Sequence, residues 1–248
     1  MPACNANAIS ASVESVDPDL PTSSSLRKRR IHRGASSRRW HPRRSYGIIH
    51  QEQGGAARNA GLDVARGRYL AFFDADDFAE LRLLEKAVRR AETGDVVAYR
   101  VDSYNDETGE TLPMPWSLDA DAFPADRVSS PGDNPDKLFY AFQNWTWNKL
   151  FRSSFVQASG LRFHEVQRSA DLYFVCCALA QADRVATVDE VLYHYRVNNP
   201  NSNIATNDGP LDFHRSFVVA KQHLENARPP RSSGASELGR PVFFSLCA

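Results

Sequence analysis

Arg58-Asn59-Ala60-Gly61-Leu62 leads through Arg66-Gly67 into Tyr69-Leu70-Ala71-Phe72-Phe73, and the run closes on Asp74-Ala75-Asp76-Asp77. Small and apolar residues on one face of the first piece predict a helix, and the five apolar residues after the glycine predict a buried strand. Three carboxylates within four residues then stand at the strand's C-terminal end. Like charges so close repel one another unless a cation sits among them. An open α/β sheet binds its ligands at that end. The expected occupant is a divalent metal carrying a phosphorylated substrate. The plainer alternative is a loop whose Asp residues cap the next helix. Asp77 suits that role, with Leu81, Leu84 and Val88 at helical spacing behind it, but capping leaves Asp74 and Asp76 without a purpose.

Outward from this stretch the periods alternate. Residues 1–16 read as a strand end, a Pro2-Ala3-Cys4-Asn5 turn and a helix carrying Ile9, Val13 and Val16. Tyr46 to His50 predicts a strand closed by Gly54-Gly55. A helix over 56–66, the strand 69–73, a helix over 81–91 and a strand over 95–104 follow. Residues 111–135, rich in Pro, Asp and Ser, read as a long loop over a site. Residues 139–151 are crowded with aromatics. A helix over 171–182, strands over 184–188 and 192–196, and a helix over 213–225 complete the series. Alternating strands and helices predict an α/β sheet with helices on both faces.

Composition narrows the class. With 42% hydrophobic residues, 248 residues can bury one sizeable core or two small ones. Net charge is zero, but residues 27–44 are densely basic and the remainder is mildly acidic. Cys4, Cys176, Cys177 and Cys247 lack metal-ligand spacing. The adjacent pair in an apolar helical run suits reduced core thiols. No apolar run is long enough to span a bilayer, and no signal-peptide core opens the chain. The expected location is the cytoplasm, with room for peripheral contact at the inner face of the membrane.

Together these motifs resemble the family 2 glycosyltransferases, which have the GT-A fold, a Rossmann-like mixed sheet. Gly54-Gly55-Ala56-Ala57-Arg58-Asn59-Ala60-Gly61-Leu62 matches their glycine pair and Ala-Arg-Asn helix, and Asp74-Ala75-Asp76-Asp77 their Asp-x-Asp motif. Trp147 to Arg152 and Asp189 to Arg196 resemble segments common in bacterial members. Pro2-Ala3-Cys4-Asn5 is similar to the turn after their first strand. The resemblance runs with gaps over residues 1–227, and residues 228–248 read as a disordered tail.

Three departures bear on that resemblance. Most of the first strand is missing ahead of the Pro2 turn. Cys4 stands where the family has a Tyr that stacks on the donor base. The Asp-Gly-Ser-Thr turn that reads the base is absent between Ser12 and Ile48. Arg29-Arg30-Ile31-His32-Arg33 can be encoded CGA CGG ATC CAC CGA, and the shifted frame of that stretch reads Asp-Gly-Ser-Thr. Residues 21–45 are therefore expected to be an irregular, disordered basic segment translated out of frame. The rival reading is an Arg-rich arm for nucleic acid or anionic lipid. With Trp40 as its one aromatic, that arm has little to stack on bases.

The resemblance implies transfer of a sugar from a nucleotide-diphosphate donor to an acceptor hydroxyl, saccharide or lipid-linked, in cell-surface polysaccharide synthesis, with inversion. It implies Mg²⁺ or Mn²⁺ held by Asp76, with Asp74 at the ribose or the metal's water shell. It implies Asp171 of Ala170-Asp171 as general base, in the place of the Asp of a Glu-Asp or Asn-Asp pair. The alternative for Asp171 is a helix-start Asp favoured by the helix dipole. Asn5, at the turn, is expected beside the donor. Arg58 is expected at donor phosphate or base, or in a salt bridge to Asp74 or Asp77. Lys149 and Arg196 are expected on the phosphate side, and Trp147 with Trp145 either in the core or against an acceptor sugar. His194 reads as a packing histidine, or as a third metal ligand or phosphate contact. An inactive, binding-only remnant is the remaining alternative.

Overall fold

The computed structural model describes residues 12–15, 54–74, 76–166, 168–198 and 211–226, with the backbone alone at 12–15. Asn5, the basic segment 21–45, the strand expected at 46–50 and the tail 228–248 lie outside the described residues.

The strand after the Ala-Arg-Asn helix is the hub. Helix α1 (Gly54–Val64) delivers the chain to β2 (Tyr69–Phe73), whose first four residues are all buried. Successive side chains of a strand point to opposite faces, so β2 serves two cores. Leu70 and Phe72 join one with Phe151, Phe163 and Phe174. Tyr69 and Ala71 join the other with Val97, Leu150 and Ala87. Helices α5 (Ala170–Gln181) and α6 (Asp212–Asn226) pack on the first face, and α2 (Leu83–Ala91) packs on the second.

Among the described residues the sheet has seven strands, in the order β1 (Ser12–Ser15), β2, β6 (Lys149–Arg152), β4 (Val96–Asn105), β7 (Val185–Val197) and β3 (Phe78–Ala79), with β5 (Thr111–Pro113) beside β4. β1 (Ser12–Ser15) runs antiparallel to β2, and β6 (Lys149–Arg152) flanks β2 on its other side. The helix expected to carry Val13 is therefore corrected at residues 12–15. A strand there gives the outer edge of β2 its ladder partners, and the backbone groups of a buried strand require them. β4 (Val96–Asn105) pairs antiparallel with β6 and with β5 (Thr111–Pro113), and parallel with β7 (Val185–Val197). The two expected strands 184–188 and 192–196 are one long strand. Its pairing with β4 slips between Tyr99 and Val101: Arg100 pairs with Val191, and the register passes over the exposed Asp189 and Glu190 and the buried Leu192. The aromatic-rich stretch divides into a short helix α3 (Leu138–Ala141), a turn and β6, and α4 (Ser153–Ala158) follows at once.

Two devices fix the mouth of the sheet. The first is the glycine pair. A Cβ on Gly55 would lie 2.2 Å from the His164 carbonyl oxygen and 3.2 Å from the Ala170 Cβ. Only glycine lets α1 approach the segment that opens α5 this closely. The second is Asp77, which ties the turn after β2 to β7. Its Oδ2 accepts from the Tyr193 hydroxyl at 2.8 Å and its Oδ1 from the Arg196 amide at 2.8 Å. The short β3 (Phe78–Ala79) then pairs with His194 and Tyr193 of β7. Asp77 does not cap α2, whose flanking residue is Arg82. Capping was the alternative for Asp77, and the two donors from β7 claim its oxygens first.

Both devices are testable. Gly55→Ala should destabilise the fold by roughly 1–3 kcal/mol, since the backbone must move to admit the methyl. An unchanged urea midpoint would contradict the close approach. Burial pushes the Asp77 carboxyl from an ordinary 3.8 up to about 7, against the hydrogen bonds from Arg196 and Tyr193. The folded chain thus holds this proton more tightly than the unfolded chain. That contribution is complete below pH 4 and is lost as pH rises through 7. Urea unfolding from pH 4 to 8 should show this decline in the wild type, and Asp77→Asn should flatten it by roughly 1–3 kcal/mol. Identical slopes would contradict the assignment.

Candidate active site

Arg58 stands on α1 with its side chain turned to the C-terminal end of β2. Its Nη2 donates to Asp74 Oδ1 at 2.7 Å and its Nη1 donates to Asp171 Oδ1 at 2.5 Å. One guanidinium thus joins the carboxylate that ends β2 to the carboxylate in the first turn of α5. Its plane lies against Phe163, 5.6 Å from the ring centre. Its Nε is buried and has no hydrogen-bond partner among the described residues. Burial opposes the charge of Arg58, but Asp171 and then Asp74 outweigh it and hold the pKa above its ordinary value. Burial pushes the Asp74 carboxyl up, Arg58 pulls it down, and Asp171 and Asp76 push the same way as burial.

The neighbouring Asn59 explains why Arg58 is so placed. Its side-chain amide donates to the Phe163 carbonyl at 3.0 Å and to Glu165 Oε1 at 3.0 Å. Its oxygen accepts from the Phe163 amide at 2.7 Å. Asn59 thereby imitates a strand partner for the segment that leads to α5. The Ala-Arg-Asn sequence so divides its labour: the Asn braces the approach to α5, and the Arg binds the helix's first carboxylate.

Asp171 has a second anchor. Its Oδ2 accepts from the Thr146 hydroxyl at 2.7 Å and from the Thr146 amide at 3.2 Å. Thr146 is fully buried in the turn before β6. Three of the roughly four lone-pair positions on the carboxylate are then taken, and one remains on Oδ1. The sequence reading missed Thr146. Hydrogen-bonding capacity within the Trp145-Thr146-Trp147 run was the one local sign, and it names no partner.

The acidic cluster is divided rather than gathered. Asp74 belongs to Arg58, Asp77 belongs to Tyr193 and Arg196, and Asp76 is exposed. Among the described residues no group of three or more His, Cys, Asp or Glu side chains converges as a metal cage. Arg58 takes the charge of Asp74, and the Tyr193 hydroxyl and the Arg196 amide take the oxygens of Asp77.

Other expected contacts shift as well. Lys149 has none of its surface exposed, and its Nζ donates to the carbonyls of Phe142 (2.7 Å), Gln143 (3.0 Å) and Trp145 (2.7 Å). It is sealed inside the protein and does not line a phosphate site, because a buried ammonium takes the acceptors nearest to it. Trp147 is 5% exposed and stacks on Trp145, Tyr193 and Tyr195 at 4.5, 5.0 and 5.5 Å between ring centres. It is therefore a core residue and not a sugar platform. Trp116, which the sequence reading passed over, is 53% exposed and meets Trp145 edge-on at 5.5 Å. Arg196 donates from Nε to the Asp76 carbonyl at 2.7 Å and from Nη1 to Asp106 at 2.5 Å. His194 has its Nδ1 at 2.5 Å from Asp102 and its Nε2 at 3.0 Å from Glu80, and it stacks on Phe78. No helix among the described residues is long and apolar enough to cross a membrane.

Known proteins share this arrangement of sequence and fold. Residues 41–158 match the family model described as Glycosyl transferase family 2. The chain is 32% identical over 162 residues to the Bacillus subtilis (strain 168) uncharacterized glycosyltransferase EpsJ, covering 62% of this chain and 45% of that protein. It is 29% identical over 147 residues to the Rhizobium meliloti (strain 1021) succinoglycan biosynthesis protein ExoO, covering 58% and 42%. The chain thus spans about half the length of the curated relatives it matches. Among solved structures, S. aureus TarS 1–349 in complex with UDP-GlcNAc superposes with a TM-score of 0.58 at 18% identity, over 75% of this chain and 51% of that one. That likeness shows the fold, an α/β sheet of the GT-A type. The matched segment runs from before the glycine pair through β2 to α4, and over that segment the chain is similar to glycosyl transferase family 2.

Proposed function

We propose that this chain is an inverting, metal-dependent glycosyltransferase that moves a sugar from a nucleotide-diphosphate donor to an acceptor hydroxyl in cell-surface polysaccharide synthesis, at the cytoplasmic face of the membrane. The observation that carries the reading is the Arg58 bridge, which sets Asp74 and Asp171 at one mouth of the sheet. The family-model match over residues 41–158, a relative named for succinoglycan biosynthesis and a TarS structure holding UDP-GlcNAc support it.

In this reading Asp171 is the general base. The acceptor oxygen attacks the anomeric carbon and its proton passes to the remaining lone pair of Asp171 Oδ1. The bond from that carbon to the diphosphate oxygen breaks, and the diphosphate leaves with the electron pair. A single displacement inverts the anomeric centre. Thr146 and Arg58 hold the carboxylate in place for the proton. Trp116 with Trp145 offers the acceptor an apolar ring face.

The donor set also fits a divalent ion that arrives with its phosphate. A hard cation of this kind takes one or two carboxylates and completes its shell with phosphate oxygens and water. Asp76 is the exposed carboxylate at the strand end and would hold the ion, with Asp74, which feels the charge of Asp76, as its neighbour. When bound, Mg²⁺ or Mn²⁺ neutralises charge on the departing diphosphate.

Calorimetry with UDP-GlcNAc, with and without Mn²⁺, and a UDP-release assay test the reading together. The wild type should bind the donor in a Mn²⁺-dependent manner. Asp76→Asn should lose about tenfold or more of that affinity, the loss of one charged ligand. Asp171→Asn should bind the donor as the wild type does and fail in transfer. Donor binding indifferent to Mn²⁺ and to Asp76, or transfer surviving in Asp171→Asn, would contradict the assignments.

A further inference from the structure

Lys149 and Thr146 belong to one local structure, of which the proposed chemistry uses only the contact of Thr146 with Asp171. The turn between α3 and β6 spans residues 142–148. It contains Gln143 at a φ of 53°, in the left-handed region that a side chain disfavours. It turns its carbonyls inward: those of Phe142, Gln143 and Trp145 all accept from Lys149 Nζ. Asn148 Oδ1 accepts as well, at 2.7 Å, so four acceptors share the ammonium's three protons. The Lys149 amide donates to the Thr146 carbonyl at 3.1 Å and closes the turn. Inward carbonyls would repel one another without a donor among them, and a left-handed Gln143 would relax. Burial pushes the lysine down to about 7, and Asp171 and Cys176 oppose that shift.

The product of this turn is the orientation of Thr146. Its hydroxyl and its amide point at the same oxygen of Asp171, 25 residues away in the chain. We propose that Lys149 and Thr146 are positioning residues for Asp171: the lysine gathers the carbonyls of the 142–148 turn, the turn aims Thr146, and Thr146 fixes the carboxylate in one orientation. The inference rests on the reading of Asp171 as the base for its functional meaning, and on the geometry alone for the coupling. Lys149 acts at one remove and never meets substrate.

The test is solution NMR on the labelled full chain, with no donor or acceptor present. Three-bond couplings at the Asp171 Cβ report its χ1 rotamer, and hydrogen exchange reports the Thr146 amide. The wild type should show a single Asp171 rotamer and a protected Thr146 amide. Thr146→Val keeps the shape and removes the hydroxyl, and should leave Asp171 rotamer-averaged. Thr146→Ser should restore the single rotamer. Lys149→Met should average the rotamer too, and should speed exchange at Thr146 by about tenfold or more, the loss of a hydrogen bond's worth of protection, while amides of β2 and β4 keep theirs. If Lys149→Met does not fold, Lys149→Gln, which retains a donor for part of the carbonyl set, should show the same effects in reduced form. A single Asp171 rotamer in both Thr146→Val and the lysine variant would overturn the proposal, leaving Lys149 a filler of the core. Failure of the base reading is seen elsewhere, as transfer retained by Asp171→Asn, and leaves these couplings untouched.

Discussion

The geometry of the site depends on a buried guanidinium between two carboxylates. Asp74 directly follows β2, and Asp171 stands in the first turn of α5, which packs on one face of the sheet. Without a positive charge between them they would repel across a poorly solvated gap. Arg58 offers a planar fork with donors on both sides, a shape that a lysine's point charge lacks. Removing one member of such a set leaves an uncompensated charge and costs about 3–5 kcal/mol where the group is buried. The bridge therefore sets the distance between strand end and helix start.

Everything nearby serves that distance. Gly55 allows α1 to press against the His164 carbonyl, and Asn59 braces Phe163, so that α1 and α5 share one frame. From the other side, Asp77 ties the turn after β2 to β7 through Tyr193 and Arg196. The three aspartates of the cluster consequently hold three offices: one pairs with Arg58, one pins the turn, and one faces solvent. A cluster that looks uniform in sequence is divided by its surroundings.

Much of this frame was legible in the sequence, because it rests on local periods. The run of apolar residues in 69–73, the helix after the glycine pair and the helix over 171–182 all carry signals within a dozen residues. Arg58, Asp74 and Asp171 were found, and a salt bridge from Arg58 to Asp74 was one of the stated alternatives. The identity of each partner was not legible. Lys149 reads as a phosphate contact and Trp147 as core or sugar platform, and only the fold shows that both are buried. Thr146 meets Asp171 across 25 residues, a contact that no local pattern encodes. β1 over Ser12–Ser15 follows from the open edge of β2 and not from its own residues, which lack a strong strand pattern.

A double-mutant cycle between Arg58 and Asp171 tests the central claim most directly. Arg58→Met, Asp171→Asn and the double variant would be unfolded in urea beside the wild type. Arg58 as the bridge predicts a coupling of about 1.5 kcal/mol or more, as for charged pairs removed from water. Additive effects, within about 0.5 kcal/mol, would mean that the two residues do not hold each other, and the site as described would fall apart.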